Sequence, residues 1–227
     1  MDKSRTELLI GSENLKKIEQ KHITIVGTGG VGGAVTLMLA RAGIEKFTLI
    51  DFDKVSSSNV NRQVVAFEDT IGQFKVDVLK SILLKINEKI EVLAIKTRLN
   101  EENVSQFINN TDCVVDAIDS VNDKIALILF CKKHKINIIS AMGAGNRYDE
   151  PNFHLTDIYK THDDGLAKIV RKKLRENNVK SLDVVSSNSK PINCGRVIGS
   201  ISYYPIVCGG VVASAVINKI LKGEIWK

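Results

Sequence analysis

Ile23-Thr24-Ile25-Val26-Gly27-Thr28-Gly29-Gly30-Val31-Gly32 runs from a short apolar stretch straight into a glycine-rich turn, and that order decides the fold class. The first four residues predict a buried strand. The apolar pattern from about Val31 to Arg41, closed by Gly43, predicts a helix, and Phe47-Thr48-Leu49-Ile50 predicts the next strand. Strand, glycine loop, helix and strand in this order form a βαβ unit, whose crossover is right-handed and whose strands are parallel. Asp51 then falls at a carboxyl strand end, beside the glycine loop.

The alternation continues outward. Lys75 to Ile86 places Val76, Leu79, Ile82, Leu83 and Ile86 at helical spacing, and Ile90 to Ile95 returns as a strand. Cys113 to Asp116 predicts a strand, Ile125 to His134 a helix and Asn137 to Ser140 another strand. The expected class is α/β: a Rossmann-like, open, mostly parallel sheet with helices on both faces. Beyond it, Phe153 to Tyr159 reads as extended, Gly165 to Glu176 as a basic helix, Asp183 to Pro191 as a polar connection, and Pro205 to Leu221 as a buried helix. A single domain over residues 1–227 is expected. Its nucleotide-binding part covers about 20–145, and a carboxyl-terminal extension over about 146–227 folds back to complete the sheet.

With 227 residues, 44% hydrophobic, 26% charged and three prolines, the composition is that of an ordinary globular chain. Met1 to Ile10 lacks the apolar core of a secretory signal, so a cytoplasmic location is the default expectation. The apolar run Ile206 to Ile217, interrupted by two glycines, falls short of the roughly 20 residues a bilayer span needs, so no membrane association is expected. The four cysteines form no C-x-x-C pair, which argues against structural zinc and for reduced thiols. Cys113 and Cys131 sit in apolar patterns and read as core, whereas Cys194, in a polar stretch, is a candidate exposed thiol.

The glycines Gly27, Gly29, Gly30 and Gly32 allow a tight turn and close backbone approach, and the following helix N-terminus offers amide hydrogens to phosphate. Asp51 suits a ribose hydroxyl. A nicotinamide-dependent oxidoreductase shows the same features, so the next loop discriminates. Asn59, Arg62 and Gln63 follow Asp51 closely, with Lys75 beyond them, and two cations at this range neutralise a triphosphate as charge moves onto pyrophosphate. Asp119 follows a strand, so its carboxylate faces the same sheet edge and suits Mg²⁺ bridging ATP oxygens. Asp116 competes for that role, and a helix N-cap is the structural alternative for Asp119. Lys168, Arg171, Lys172, Lys173 and Arg175 crowd one segment, read either as a solvated helix face or as a nucleic-acid surface.

Gly27-x-Gly29-Gly30-x-Gly32, Asp51-x-Asp53-x-Val55, Ser58-Asn59-x-x-Arg62-Gln63, Gly72-Gln73-x-Lys75 and Asp119 stand in the order and spacing of a known group. The chain resembles the E1-like, ThiF-type superfamily of ubiquitin-activating enzymes and their bacterial relatives. The resemblance implies that Asp51 holds the ribose and that Asn59, Arg62, Gln63 and Lys75 hold the phosphates. It implies that Asp53 belongs to the same nucleotide site and that Asp119 assists Mg²⁺-ATP. A carboxylate then attacks the α-phosphate, giving an acyl-adenylate and pyrophosphate. It also implies a homodimer in which Arg5 reaches the partner's ATP site, although an ordinary surface arginine is the other reading of Arg5.

Within the superfamily, Arg5 to Gly11, Asp116-Ala117-Ile118-Asp119-Ser120, Thr156 to Thr161, Asp164 to Ala167 and Val170 to Arg175 look like the tRNA threonylcarbamoyladenosine dehydratases. Those enzymes adenylate the carboxylate of the threonylcarbamoyl group on adenosine 37, and an internal nucleophile then closes a ring. On this resemblance Lys168, Arg171, Lys172, Lys173 and Arg175 contact tRNA, and a sulfur-transfer protein is a further candidate partner. The alternative is an adenylyltransferase activating a ubiquitin-like or sulfur carrier protein, although such enzymes often carry the paired C-x-x-C zinc site that this chain lacks. A noncatalytic nucleotide sensor is the reading from a different class.

Overall fold

The computed structural model describes residues 1–192, 195 and 197–223. The strands are β1 (His22–Val26), β2 (Lys46–Ile50), β3 (Glu91–Ile95), β4 (Cys113–Asp116), β5 (Asn137–Ala141), β6 (Phe153–Asp157) and β7 (Asp183–Ser187). They form one sheet in the order β3-β2-β1-β4-β5-β7-β6, parallel throughout except where β6 meets β7. The strand order reverses between β1 and β4. At such a switch point the loops leaving two carboxyl strand ends diverge and open a crevice, the position where open α/β sheets bind ligands.

Inside the edge strands β3 and β6, the strands are interior because both of their faces are apolar. On one face Ile23, Ile25, Phe47, Leu49, Val115, Ile139 and Val185 pack beneath α3 (Gly30–Ala42), α4 (Lys75–Ile86) and α8 (Tyr203–Lys222). On the other face Val26, Ile50, Val114, Ile138 and Val184 meet α5 (Val104–Phe107), α6 (Val121–Lys133) and α7 (Gly165–Glu176). Each such side chain contributes roughly 1.5–3 kcal/mol by leaving water. Alternate residues along one strand therefore fix two helical layers at once.

Three features depart from the sequence reading. Asp183 to Ser187, expected within a polar connection, is the buried strand β7 between β5 and β6. Its serines are small enough to enter the interior, where the Ser187 hydroxyl lies 3.3 Å from the Tyr204 hydroxyl. Helix α8 starts at Tyr203 rather than Pro205, because a proline in the first turn removes no intrahelical donor. Its 20 residues are long and apolar enough to cross a bilayer, yet it packs as a core helix: a β-carbon on Gly209 would lie 2.7 Å from the Ala34 β-carbon of α3. Finally, α1 (Ser4–Ile10) and α2 (Ser12–Glu19) precede the sheet. Helix α2 buries Leu15 and Ile18, whereas α1 buries none of its residues and is tethered through Lys3, which pairs with Glu19 at 2.6 Å and Glu45 at 2.5 Å.

Candidate active site

The turn after β1 closes only with glycine. Gly27 has φ +87°, and a β-carbon there would lie 2.6 Å from the Ala117 carbonyl oxygen just beyond β4. A β-carbon on Gly32 would lie 1.8 Å from the Gly27 carbonyl oxygen. Gly29 instead faces open space, its nearest neighbour being Gln63 Nε2 at 3.8 Å, whereas Gly30 packs against Pro205 of α8. No side chain caps the N-terminus of α3, so its first amide hydrogens are available to an anion.

Asp51, just past β2, is buried and aimed at this loop. Its Oδ2 accepts from the Thr28 backbone N–H (2.6 Å) and the Thr28 hydroxyl (2.9 Å), and its Oδ1 accepts from the Asp53 N–H (2.9 Å). A carboxylate has about four acceptor positions, so capacity for a ribose hydroxyl remains. Thr28, which sequence reasoning did not single out, is what fixes the Asp51 carboxylate.

Lys75 opens α4 with only 5% of its surface exposed. Its ammonium lies 2.6 Å from Asp53 Oδ2, and its backbone N–H donates to the Asp53 carbonyl (3.0 Å). Asp53 is thus the counterion that holds Lys75. Arg62 donates through Nη1 to the Ser58 carbonyl (2.7 Å) and Asn61 Oδ1 (2.9 Å), which leaves the other arm of its guanidinium open. Asn59 is buried in the same turn, with Oδ1 accepting from the Ser56 N–H (3.1 Å). Gln63 turns its Nε2 toward Gly29, and its Oε1 is buried without a hydrogen-bond partner among the described residues. A buried amide end left unpaired costs about 1–3 kcal/mol, so this is where an absent polar ligand fits. Open cradle, uncapped helix and two cations together suit a nucleotide polyphosphate.

Asp116 and Asp119 separate cleanly. Asp116 is fully buried, its Oδ2 2.8 Å from the equally buried Lys124 ammonium and its Oδ1 accepting from the Ile118 N–H (3.1 Å). Lys124 also donates to the Ala141 carbonyl at the end of β5 (3.1 Å). Asp116 is therefore spent on structure. Asp119 is exposed, and its carboxylate makes no hydrogen bond or ion pair among the described residues. Ser120, not Asp119, occupies the N-cap position of α6, and it makes no side-chain cap. A single exposed carboxylate at this edge fits Mg²⁺ chelated mainly by phosphates, and among the described residues no cluster of three or more His, Cys, Asp or Glu side chains forms a metal cage.

The extension is stitched to this edge from the other side. Arg147, buried, donates to the carbonyls of Ser189 (2.8 Å), Gly143 (2.9 Å) and Asp163 (2.9 Å). Asp164 caps α7 through the Ala167 N–H (2.8 Å) and also accepts from the Gly143 N–H (2.9 Å). Asn146 accepts from the Gly199 N–H (2.6 Å), and Asn61 donates to the Ser200 carbonyl (3.1 Å). No sequence signal pointed to Arg147 or Lys124, because their partners are backbone carbonyls and carboxylates distant in the chain.

A family model described as the ThiF family matches residues 3–225. The chain belongs to the ThiF family. It is 42% identical over 191 residues to the tRNA threonylcarbamoyladenosine dehydratase of Bacillus subtilis, covering 83% of this chain and 75% of that one. The enzyme of the same name from Haemophilus influenzae is 36% identical and covers 92% of this chain and 89% of its own length. Among solved structures, Escherichia coli tRNA N6-threonylcarbamoyladenosine dehydratase, TcdA, in complex with ATP superposes with a TM-score of 0.93 at 32% identity, covering 98% of this chain and 94% of that one.

Other residues singled out in the sequence lie less directly on this ThiF-family site. Arg5 lies exposed on α1, away from every described partner, beside Leu8 and Leu9, which are 80% and 85% exposed. Of the basic segment on α7, Lys168 and Lys172 are exposed and unpaired among the described residues, Lys173 lies 3.4 Å from Glu176, Arg175 covers the Tyr159 ring and Arg171 turns inward to Thr161. Cys113, Cys131 and Cys208 are buried free thiols. Burial pushes Cys131 and Cys208 up to about 12 and Cys113 well above the ordinary range, which keeps all three neutral and inert. The Cys194 reading lies outside the described residues.

Proposed function

We propose that this chain is an ATP-dependent tRNA threonylcarbamoyladenosine dehydratase, acting as a homodimer in the cytoplasm. The observation that carries the reading is the match to ATP-bound E. coli TcdA across nearly the whole chain, extension included. Asp51 takes the ribose, the loop from Gly27 to Gly32 and the uncapped start of α3 cradle phosphate oxygens, and the amides of Asn59 and Gln63 add donors. Arg62 and Lys75 place positive charge where the leaving pyrophosphate gathers negative charge, an interaction stronger in the transition state than in the ground state. Asp53 holds the Lys75 side chain in place for that purpose. Asp119 is the residue that would hold Mg²⁺, which would add charge neutralisation at the phosphates.

The substrate carboxylate displaces pyrophosphate at the α-phosphorus. An internal nitrogen or oxygen then attacks the activated acyl carbon, AMP leaves, and the net change in the tRNA is loss of one water. Arg5 completes the partner's ATP site, a reading supported by the projection of α1 with Leu8 and Leu9 uncovered. The competing reading, activation of a carrier protein, is favoured by the molybdopterin-synthase adenylyltransferase of Salmonella typhimurium at 34% identity. That match spans 56% of this chain, against 83% and 92% for the two dehydratases.

Mass analysis of tRNA carrying open-chain threonylcarbamoyladenosine, incubated with the protein and Mg²⁺-ATP, tests the proposal. The expected product is lighter by one water at adenosine 37. Unchanged tRNA, or pyrophosphate exchange that requires a carrier protein instead, sinks it.

A further inference from the structure

We infer that α7 is a docking rail for the sugar–phosphate backbone of an RNA stem, with Lys168, Lys172 and Arg175 as its phosphate contacts and Arg171 as a positioning residue. The inference rests on the tRNA reading above and narrows it from a basic segment to three side chains and one kind of RNA surface.

Direction comes first. The N-cap Asp164 is bonded to the Gly143 N–H, immediately past the carboxyl end of β5, so α7 starts at the sheet edge that carries Asp51 and Asp119. Its 12 residues then lead away from that edge for roughly 18 Å. A stem lying along the helix presents its loop end to the nucleotide site.

Charge comes second. Lys168, Lys172 and Arg175 recur at i, i+4 and i+7, which places them in one exposed row, spaced along the axis by about 6 and 4.5 Å. The one acidic residue of α7, Glu176, is neutralised by Lys173 at 3.4 Å. Arg171 does not belong to the row. Its Nη1 donates to the Thr161 carbonyl (2.7 Å) and hydroxyl, tying α7 to the turn that follows β6. Five basic residues thus divide into three that face a partner, one that cancels an acid and one that braces the helix.

Along the rail itself, among the described residues, no open ring offers a stacking surface, and this selects a duplex. Single-stranded nucleic acid is held by exposed aromatic rings on which bases stack. The ring nearest the rail, Tyr159, has the Arg175 guanidinium 5.3 Å from its centroid, and its hydroxyl donates to the Val179 carbonyl. Asn177, at the end of α7, donates through Nδ2 to the Lys173 carbonyl (2.9 Å). Cations with no open ring beside them contact the backbone and read no sequence.

Fluorescence anisotropy with a labelled RNA hairpin stem, and with a single strand of the same sequence, each titrated across salt, tests the rail. Each duplex phosphate contact adds about 0.9 to the slope of log affinity against log salt. K168Q/K172Q/R175Q is therefore expected to lower the hairpin slope by roughly 2–3 and to weaken binding at least about 10-fold at moderate salt. Its Tm stays at the parent value. Arg171→Gln lowers Tm and leaves the slope alone. An unchanged slope in the triple variant overturns the inference, as does a single strand that binds as tightly as the hairpin, or Arg171→Gln lowering the slope as much as the triple variant. Mass analysis of modified tRNA on the same samples separates the two failures. A parent that cannot dehydrate tRNA while the slope still falls in the triple variant removes the dehydratase reading and keeps the rail. Dehydration with an unchanged slope removes the rail alone.

Discussion

The half of the sheet built on β1, β2 and β4 holds its chemistry through paired side chains and one glycine turn, whereas the half built on β5, β7 and β6 is held by side chains that gather backbone groups from several loops. In the first, Thr28 fixes Asp51, Asp53 fixes Lys75, and Gly27 and Gly32 close one turn. In the second, Arg147 gathers carbonyls from three separate loops, and Asp164 joins α7 to the end of β5. The first arrangement lets a ligand site be altered without loosening the fold. The second makes the packing of several loops depend on two buried side chains. Lys124 joins the two halves, because a single buried ammonium holds both Asp116 at the end of β4 and the Ala141 carbonyl at the end of β5.

That joint is where the contrast breaks most readily. Lys124→Met leaves the Asp116 charge buried and unpaired, and is expected to cost about 3–5 kcal/mol in urea unfolding. Adding Asp116→Asn removes the stranded charge and restores most of that loss. A Lys124→Met protein that unfolds at the parent's denaturant midpoint would show that the clamp contributes nothing. Within the first half the expected effect moves from stability to rate. Lys75→Met strands only Asp53, whose side chain is 46% exposed and stays hydrated, so Tm changes little. Its kcat is expected to fall about 10²–10³-fold, by analogy with removing one charge-stabilising donor from a transition state. Full turnover in Lys75→Met would exclude it from the phosphate clamp.

The same contrast explains what was legible in the sequence. Glycine spacing, the acid at a strand end and the cations that follow are local patterns, so the βαβ core and the candidate ligands of the first half were all readable. The parallel sheet and the closing extension were readable as well. Strand β7 was not, because Asp183, Ser186 and Ser187 look like a polar connection until β5 and β6 enclose them. Arg147 and Lys124 were not, because a buried cation bonded to distant carbonyls has no periodicity or spacing. Asp116 and Asp119 were distinguishable only once Lys124 was seen to occupy one of them.

The smallest expected effect probes the second half through a thiol. Cys208, on the inner face of α8, is pushed from an ordinary 9.0 up to about 12, first by burial and then by the Asp164 carboxylate, while Lys124 and Arg147 pull the other way. The unfolded chain loses this proton near pH 9 and the folded chain keeps it to about 12. The folded state therefore binds more protons inside that window, and stability falls as pH rises through it. Below about pH 9 the contribution is fully present. Cys208→Ala removes the group, so its Tm should decline less steeply than the parent's across the alkaline window while the two profiles run parallel below it. Parallel profiles throughout would mean that the thiol meets water in the folded state, and that α8 is not seated on the loops which Asp164 and Arg147 hold together.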